Sequence, residues 1–137
     1  MRIAIVVAEF NGEVTERMLE AALERSEKLN LEVSFVCKVP GSYDMPLLVD
    51  QLLQKDVVDG VATLGAVIKG KTKHDEVIAQ ATAISLQNLA VKHGKPVSLG
   101  ITGPGMQVRQ AYARIRPVAE RAVEALAKIQ REMERIK

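Results

Sequence analysis

Apolar positions along the chain keep two different periods. Short runs rich in Val and Ile lie at Ile3–Ala8, Val33–Val39, Gly60–Ile68 and Val97–Ile101. They are continuous rather than alternating, which suits strands covered on both faces. Between them, apolar residues recur three and four positions apart. From Glu13 to Leu29 they are Val14, Met18, Ala22 and Leu29. From Tyr43 to Leu53 they are Met45, Leu48, Val49 and Leu52, with Pro46 in the first turn, where a missing N–H does no harm. From Asp75 to His93 they are Ile78, Ala81, Ser85 and Leu89, and the segment stops at Gly94. A final long stretch carries Val118, Ala122, Leu126, Ile129, Met133 and Ile136 on one stripe, which predicts an amphipathic helix. Alternating strands and helices predict βαβ units. The expected fold is therefore α/β, a flavodoxin-like three-layer sandwich with a four-stranded parallel sheet and helices on both faces. One domain spans 1–137.

Composition narrows the partners more than the fold. Of 137 residues, 47% are hydrophobic and 26% charged, which fits an ordinary globular domain rather than a disordered or membrane-spanning chain. The net charge of +2 comes from interleaved acids and bases, so nucleic acid is not an expected partner. The start, Met1-Arg2 before Ile3–Ala8, has the charge order of a secretion signal, but Glu9 closes the apolar run too early. The single cysteine, Cys37, has no internal disulfide partner and reads as a buried thiol. A cytoplasmic protein is expected.

In open parallel sheets, ligands bind beyond the carboxyl ends of the strands, which points to four loops. They are Glu9-Phe10-Asn11-Gly12, Pro40-Gly41-Ser42-Tyr43-Asp44-Met45-Pro46, Lys69-Gly70-Lys71-Thr72-Lys73-His74, and Thr102-Gly103-Pro104-Gly105-Met106. The third is the most informative. A glycine-bearing basic loop running into a helix is a natural seat for phosphate, because free N–H groups and the positive end of the helix dipole converge there. It lacks the Gly-x-x-x-x-Gly-Lys-Ser/Thr signature of nucleotide loops, so a small phosphorylated metabolite is the expected anion. His74 adjoins that seat as a candidate proton carrier. The competing reading is a solvated histidine at a helix start. His93, between Lys92 and Gly94, reads only as a helix C-terminal cation. Arg114 and Arg121 follow the fourth loop, either as parts of a phosphate clamp or as surface charges. The chain has no Trp and only four Phe or Tyr, and two of these, Phe10 and Tyr43, lie in strand-end loops where a ring can stack on a flat ligand. No His, Cys, Asp or Glu residues have metal-ligand spacing, and no Ser-His-Asp grouping is suggested. The residues alone lead to a site for a planar ring and a phosphate, with one histidine for proton transfer.

Four stretches carry a resemblance: Glu9-Phe10-Asn11, Val39-Pro40-Gly41-Ser42-Tyr43-Asp44-Met45-Pro46, Leu64-Gly65-Ala66-Val67-Ile68-Lys69-Gly70-Lys71-Thr72-Lys73-His74-Asp75, and Gly100-Ile101-Thr102-Gly103-Pro104-Gly105-Met106. In order and without large insertions, the chain resembles the short, archaeal-type 6,7-dimethyl-8-ribityllumazine synthases. The resemblance implies an enzyme of riboflavin biosynthesis that joins 5-amino-6-ribitylaminouracil to 3,4-dihydroxy-2-butanone 4-phosphate and releases phosphate, without metal or organic cofactor. It implies that Phe10 stacks on the pyrimidine beside Asn11, and that Ser42, Tyr43 and Asp44 hold the ribityl chain, Asp44 replacing a more frequent glutamate. Val67 and Ile68 would offer backbone groups to the uracil edge. Gly70, Lys71 and Thr72 would cradle phosphate, and His74 would transfer protons. Arg114 matches the phosphate-binding arginine and Arg121 a basic residue downstream, although Ile115-Arg116-Pro117-Val118 departs from the usual Gly-Thr-Lys-Ala-Gly run. Leu99 stands where many relatives place an aromatic supplied by the neighbouring subunit. The family assembles as pentamers or shells of sixty subunits with sites between neighbours. Two alternatives share the fold: an archaeal-type riboflavin synthase, and a non-catalytic flavin- or lumazine-binding shell protein.

Overall fold

The computed structural model describes residues Met1–Lys137. Four strands, β1 (Arg2–Ala8), β2 (Glu32–Val39), β3 (Gly60–Ile68) and β4 (Val97–Met106), form one all-parallel sheet in the order β2-β1-β3-β4. β1 and β3 lie in the middle and are buried almost throughout, as continuous Val and Ile runs require. The outer two correct the expectation of burial on both faces. β2 and β4 are edge strands whose residues alternate between covered and exposed positions. Cys37, on β2, is accordingly half-buried rather than buried.

Helices cover both faces, giving three layers. On one face α1 (Gly12–Lys28) and α5 (Ile115–Arg135) pack over Ile3, Ile5, Val7, Ala62, Leu64 and Ala66. On the other, α2 (Met45–Leu53) and α3 (His74–His93) pack over Ala4, Val6, Ala8 and Val61. The stripes of α1 and α2 lie where their spacing predicts, with Val14, Met18, Ala22, Met45, Val49 and Leu52 all buried. A short 3-10 turn, Ser42–Asp44, precedes α2.

Four features differ from the sequence reading. On α3 the buried residues are Asp75, Thr82 and Leu86, while Ala81 is exposed and Ile78, Ser85 and Leu89 are half-covered. β4 continues past Ile101 to Met106, taking the Gly-Pro-Gly stretch along its edge. A separate short helix, α4 (Val108–Ala113), then turns the chain into α5. The buried stripe of α5 is Ile115, Ala119, Ala122, Val123 and Leu126, and Ile129 and Ile136 are exposed.

The sheet order reverses direction after β1, since β2 lies on one side of it and β3 on the other. The helices that follow β1 and β3 leave on opposite faces, α1 on one and α3 on the other. A crevice therefore opens between the carboxyl ends of β1 and β3, the place such a topology reserves for ligands.

Candidate active site

That crevice holds a cavity of about 460 Å³. Its floor is the end of β3, where Ala66 and Val67 are buried and Ile68 half-buried. Its walls are three of the four strand-end loops. Phe10 projects from the first, 72% exposed, and Tyr43 from the second, 66% exposed. Two of the four Phe and Tyr residues thus border one cavity from opposite loops. Phe35 packs against the core from β2, and Tyr112, on α4, donates its hydroxyl to Glu13 at 2.5 Å.

The loop carrying Phe10 is fixed by backbone and side chain together. Glu9 and Phe10 donate N–H groups to the carbonyls of Val39 and Pro40 at 2.7 and 3.0 Å. Asn11, in the left-handed region at φ 60°, starts α1 by accepting the N–H groups of Val14 and Thr15. Asparagine tolerates that conformation better than most residues. Its side-chain amide donates to the Ala66 carbonyl at 2.7 Å, tying the end of β1 to the end of β3 across the crevice.

The second loop is held by Asp44, which accepts the Gly41 N–H at 3.0 Å, closing the turn. One carboxylate oxygen is engaged in this way. Ser42 lines the cavity at only 6% exposure, and its carbonyl accepts the Thr82 hydroxyl of α3 at 3.3 Å. The third loop brings Gly70, Thr72 and His74 to the cavity, with Thr72 Oγ1 accepting the His74 N–H at 3.3 Å. His74 opens the 20-residue helix α3, so its first turn presents the positive end of a long helix dipole to the crevice.

Phe10, Asn11, Ser42, Tyr43, Asp44, Val67, Ile68, Gly70, Thr72 and His74 therefore converge on one cavity. Lys71, Leu99, Arg114 and Arg121 are exposed and do not line it. Leu99 lies on the β4 edge, Arg114 at the corner between α4 and α5, and Arg121 on α5. Among the lining residues given no role by the sequence reading is Asp75, directly after His74 and 7% exposed. A carboxylate in the first turn of a helix is commonplace, so its pattern gave no signal. His93 lies away from the cavity, its Nε2 2.7 Å from Asp50 Oδ1 on α2, which joins two helices rather than serving chemistry.

Fold and site together define a class: an open parallel α/β protein whose switch-point crevice offers aromatic rings, a helix N-terminus for an anion and one accessible histidine. Comparison with known proteins gives the family. The model of the 6,7-dimethyl-8-ribityllumazine synthase family matches residues 1–135. Relatives of that name are 52% identical over 131 residues in Pyrobaculum arsenaticum, covering 96% of this chain and 87% of the relative. In Saccharolobus solfataricus the identity is 53% over 129 residues, covering 94% and 84%. In Sulfolobus acidocaldarius it is 49% over 137 residues, covering 100% and 87%. The chain belongs to the 6,7-dimethyl-8-ribityllumazine synthase family. A riboflavin synthase reading is not favoured, because these relatives carry the other name.

Proposed function

We propose that this chain condenses 5-amino-6-ribitylaminouracil with 3,4-dihydroxy-2-butanone 4-phosphate, forming 6,7-dimethyl-8-ribityllumazine and inorganic phosphate. The observation that carries this reading is the convergence of Phe10, Ser42–Asp44, Gly70, Thr72 and His74 on one cavity at the β1–β3 crevice. Phe10 stacks on the pyrimidine, and the backbone of Val67 and Ile68 meets its edge. Tyr43 and the Asp44 carboxylate serve the ribityl hydroxyls. Gly70, Thr72 and the start of α3 seat the phosphate, with Lys71 adding charge.

The uracil amine adds to the ketone and loses water to give an imine. A proton is then removed and phosphate leaves by elimination; the resulting enol tautomerises to a ketone, and the ribitylamino nitrogen closes the ring on that carbonyl with loss of a second water. Imidazole can carry protons near neutral pH, so His74 takes that role. The helix N-terminus stabilises charge on the departing phosphate. Holding two substrates in one crevice supplies much of the remaining acceleration. No cofactor enters these steps.

The same reading makes the chain a cytoplasmic, single-domain subunit of a homo-oligomer, a pentamer or a sixty-subunit shell with sites between neighbours. Two features support it. Leu99 and Arg114, matched to substrate contacts, lie outside their own chain's cavity, as side chains that serve a neighbour's site would. The surface also exposes Val77, Ile84 and Val91 at seven-residue spacing on α3, with Leu47 on α2. Apolar residues aligned in this way favour a packed partner. No helix is long and apolar enough to cross a membrane.

The deciding experiment incubates the protein with both substrates and follows lumazine fluorescence and phosphate release together. Equal amounts of both products support the reading. Conversion of lumazine itself, with no reaction of the two substrates, would make the chain a riboflavin synthase. Ligand binding without phosphate release would make it a non-catalytic binder.

A further inference from the structure

We propose that Asp75 is a positioning residue, whose carboxylate locks the end of β4 against the helix that carries His74. The proposal rests on the reading of the cavity as the lumazine-forming site.

The β3–β4 ladder is regular up to Ala66 opposite Thr102, and resumes with Ile68 opposite Met106. Gly103, Pro104 and Gly105 must therefore all pass one residue, Val67, which belongs to the cavity floor. Gly103 and Gly105 adopt φ of 105° and 77°, left-handed values that other residues avoid. Gly103 lies so close to the Val67 carbonyl that a Cβ would collide with it. Such a bulge loses ladder hydrogen bonds and needs other partners to keep one shape.

Two contacts supply them. Lys69 donates its N–H to the Met106 carbonyl at 2.7 Å, closing the far side of the bulge. At its tip, the Gly105 N–H donates to Asp75 Oδ2 at 2.9 Å. Asp75 is the one side chain that hydrogen-bonds to the bulge, and it comes from the first turn of α3. A carboxylate this buried is unfavourable unless hydrogen-bonded, so the contact holds both groups in place. It thereby fixes the ring-binding floor at Val67, which precedes the phosphate-seat loop, relative to His74, which follows it. The reaction spans both halves, and a displacement of ~1 Å between them can reduce turnover by ~100-fold.

The test compares Asp75→Ala and Asp75→Asn with the unaltered enzyme under conditions where all three are folded. Asp75→Asn keeps an oxygen that can accept from Gly105, and Asp75→Ala does not. Asp75→Ala is expected to lower kcat by roughly 10- to 100-fold while the KM for the pyrimidine substrate changes by less than about twofold. Asp75→Asn should recover most of the loss. A purely structural role would lower thermal stability and leave kcat of the folded fraction unchanged. Amide hydrogen exchange at Gly105 provides a readout independent of turnover, faster in Asp75→Ala and near the unaltered rate in Asp75→Asn. Should Asp75→Ala not fold, Asp75→Ser takes its place, because serine suits a helix start but is shorter than aspartate. Unchanged kcat, or equal impairment in Asp75→Ala and Asp75→Asn, overturns the proposal. Failure of the unaltered enzyme to make lumazine would overturn the functional reading instead. The Gly105 exchange rates would then still decide whether Asp75 holds the bulge.

Discussion

His74 and Phe10 reach the same cavity from loops more than sixty positions apart in sequence, and their substitutions should separate two kinds of work. Replacing His74 by Ala removes a proton carrier, so kcat should fall by roughly 10- to 1,000-fold, the range of general acid–base effects. Binding of an unreactive ring analogue should stay nearly constant, as fluorescence titration would reveal. Unchanged turnover would remove His74 from the mechanism. Replacing Phe10 by Ala should act the other way, weakening the analogue by about 0.5–1.5 kcal/mol, the value of one aromatic pair beyond its area. At this scale the sequence points to most of the residues that converge on the cavity, Phe10, Tyr43, Gly70, Thr72 and His74 among them. Glycine, lysine and threonine beside a histidine at a strand–helix junction already describe an anion seat. Two of four aromatics placed in strand-end loops already describe a ring seat. Asp75 was not legible, because its function depends on Gly105 arriving from a distant strand.

Elements were legible where one period ruled them. β1, β3, α1 and α2 are each dominated by a single pattern, continuous or every three to four, and they lie where it places them. α3 was misread because apolar residues occur on several of its sides. Val77, Ile84 and Val91 form a second stripe as regular as the buried one, and sequence does not say which stripe meets the sheet. β4 was cut short because Gly103-Pro104-Gly105 reads as a turn, whereas here it runs along a strand edge. Gly100 shows what that strand demands. A Cβ there would strike the Thr63 carbonyl and lie 3.0 Å from the Ala122 Cβ, so this glycine lets α5 settle on the sheet. Gly100→Ala should destabilise the fold by about 1–3 kcal/mol, the usual effect of overpacking, measurable by urea unfolding. The joint between α2 and α3 should be pH-dependent. The hydrogen bond from His93 holds the Asp50 carboxyl below its ordinary value, with Lys92 helping and burial opposing. A depressed carboxylate contributes stability above its unfolded pKa of about 3.9 and loses it as pH falls through the folded value. Asp50→Asn should therefore weaken the protein near neutral pH, and the difference should vanish in strong acid.

For the whole molecule, the question is whether one chain contains one site. Leu99 and Arg114 lie outside the cavity, while α3 exposes an apolar stripe that includes Val91 at 81% exposure. If copies join head to tail in a ring, each site takes His74 from one subunit and Arg114 from the next. That arrangement makes a prediction that a self-sufficient chain does not. His74→Ala and Arg114→Ala should each lose at least ~10-fold in activity, the first through its proton carrier and the second because losing a charged hydrogen bond to phosphate removes about 1.5–3 kcal/mol. Mixed in equal amounts, unfolded and refolded together, they should regain activity. In a randomly mixed ring about a quarter of the junctions pair an intact His74 with an intact Arg114. Activity should therefore rise to roughly a quarter of the unaltered enzyme, and Ile84→Glu, which puts charge on the α3 stripe, should prevent the recovery while lowering the mass in solution. If Arg114 instead serves its own chain, every subunit in the mixture carries a broken site, and mixing yields no more than the average of the two variants.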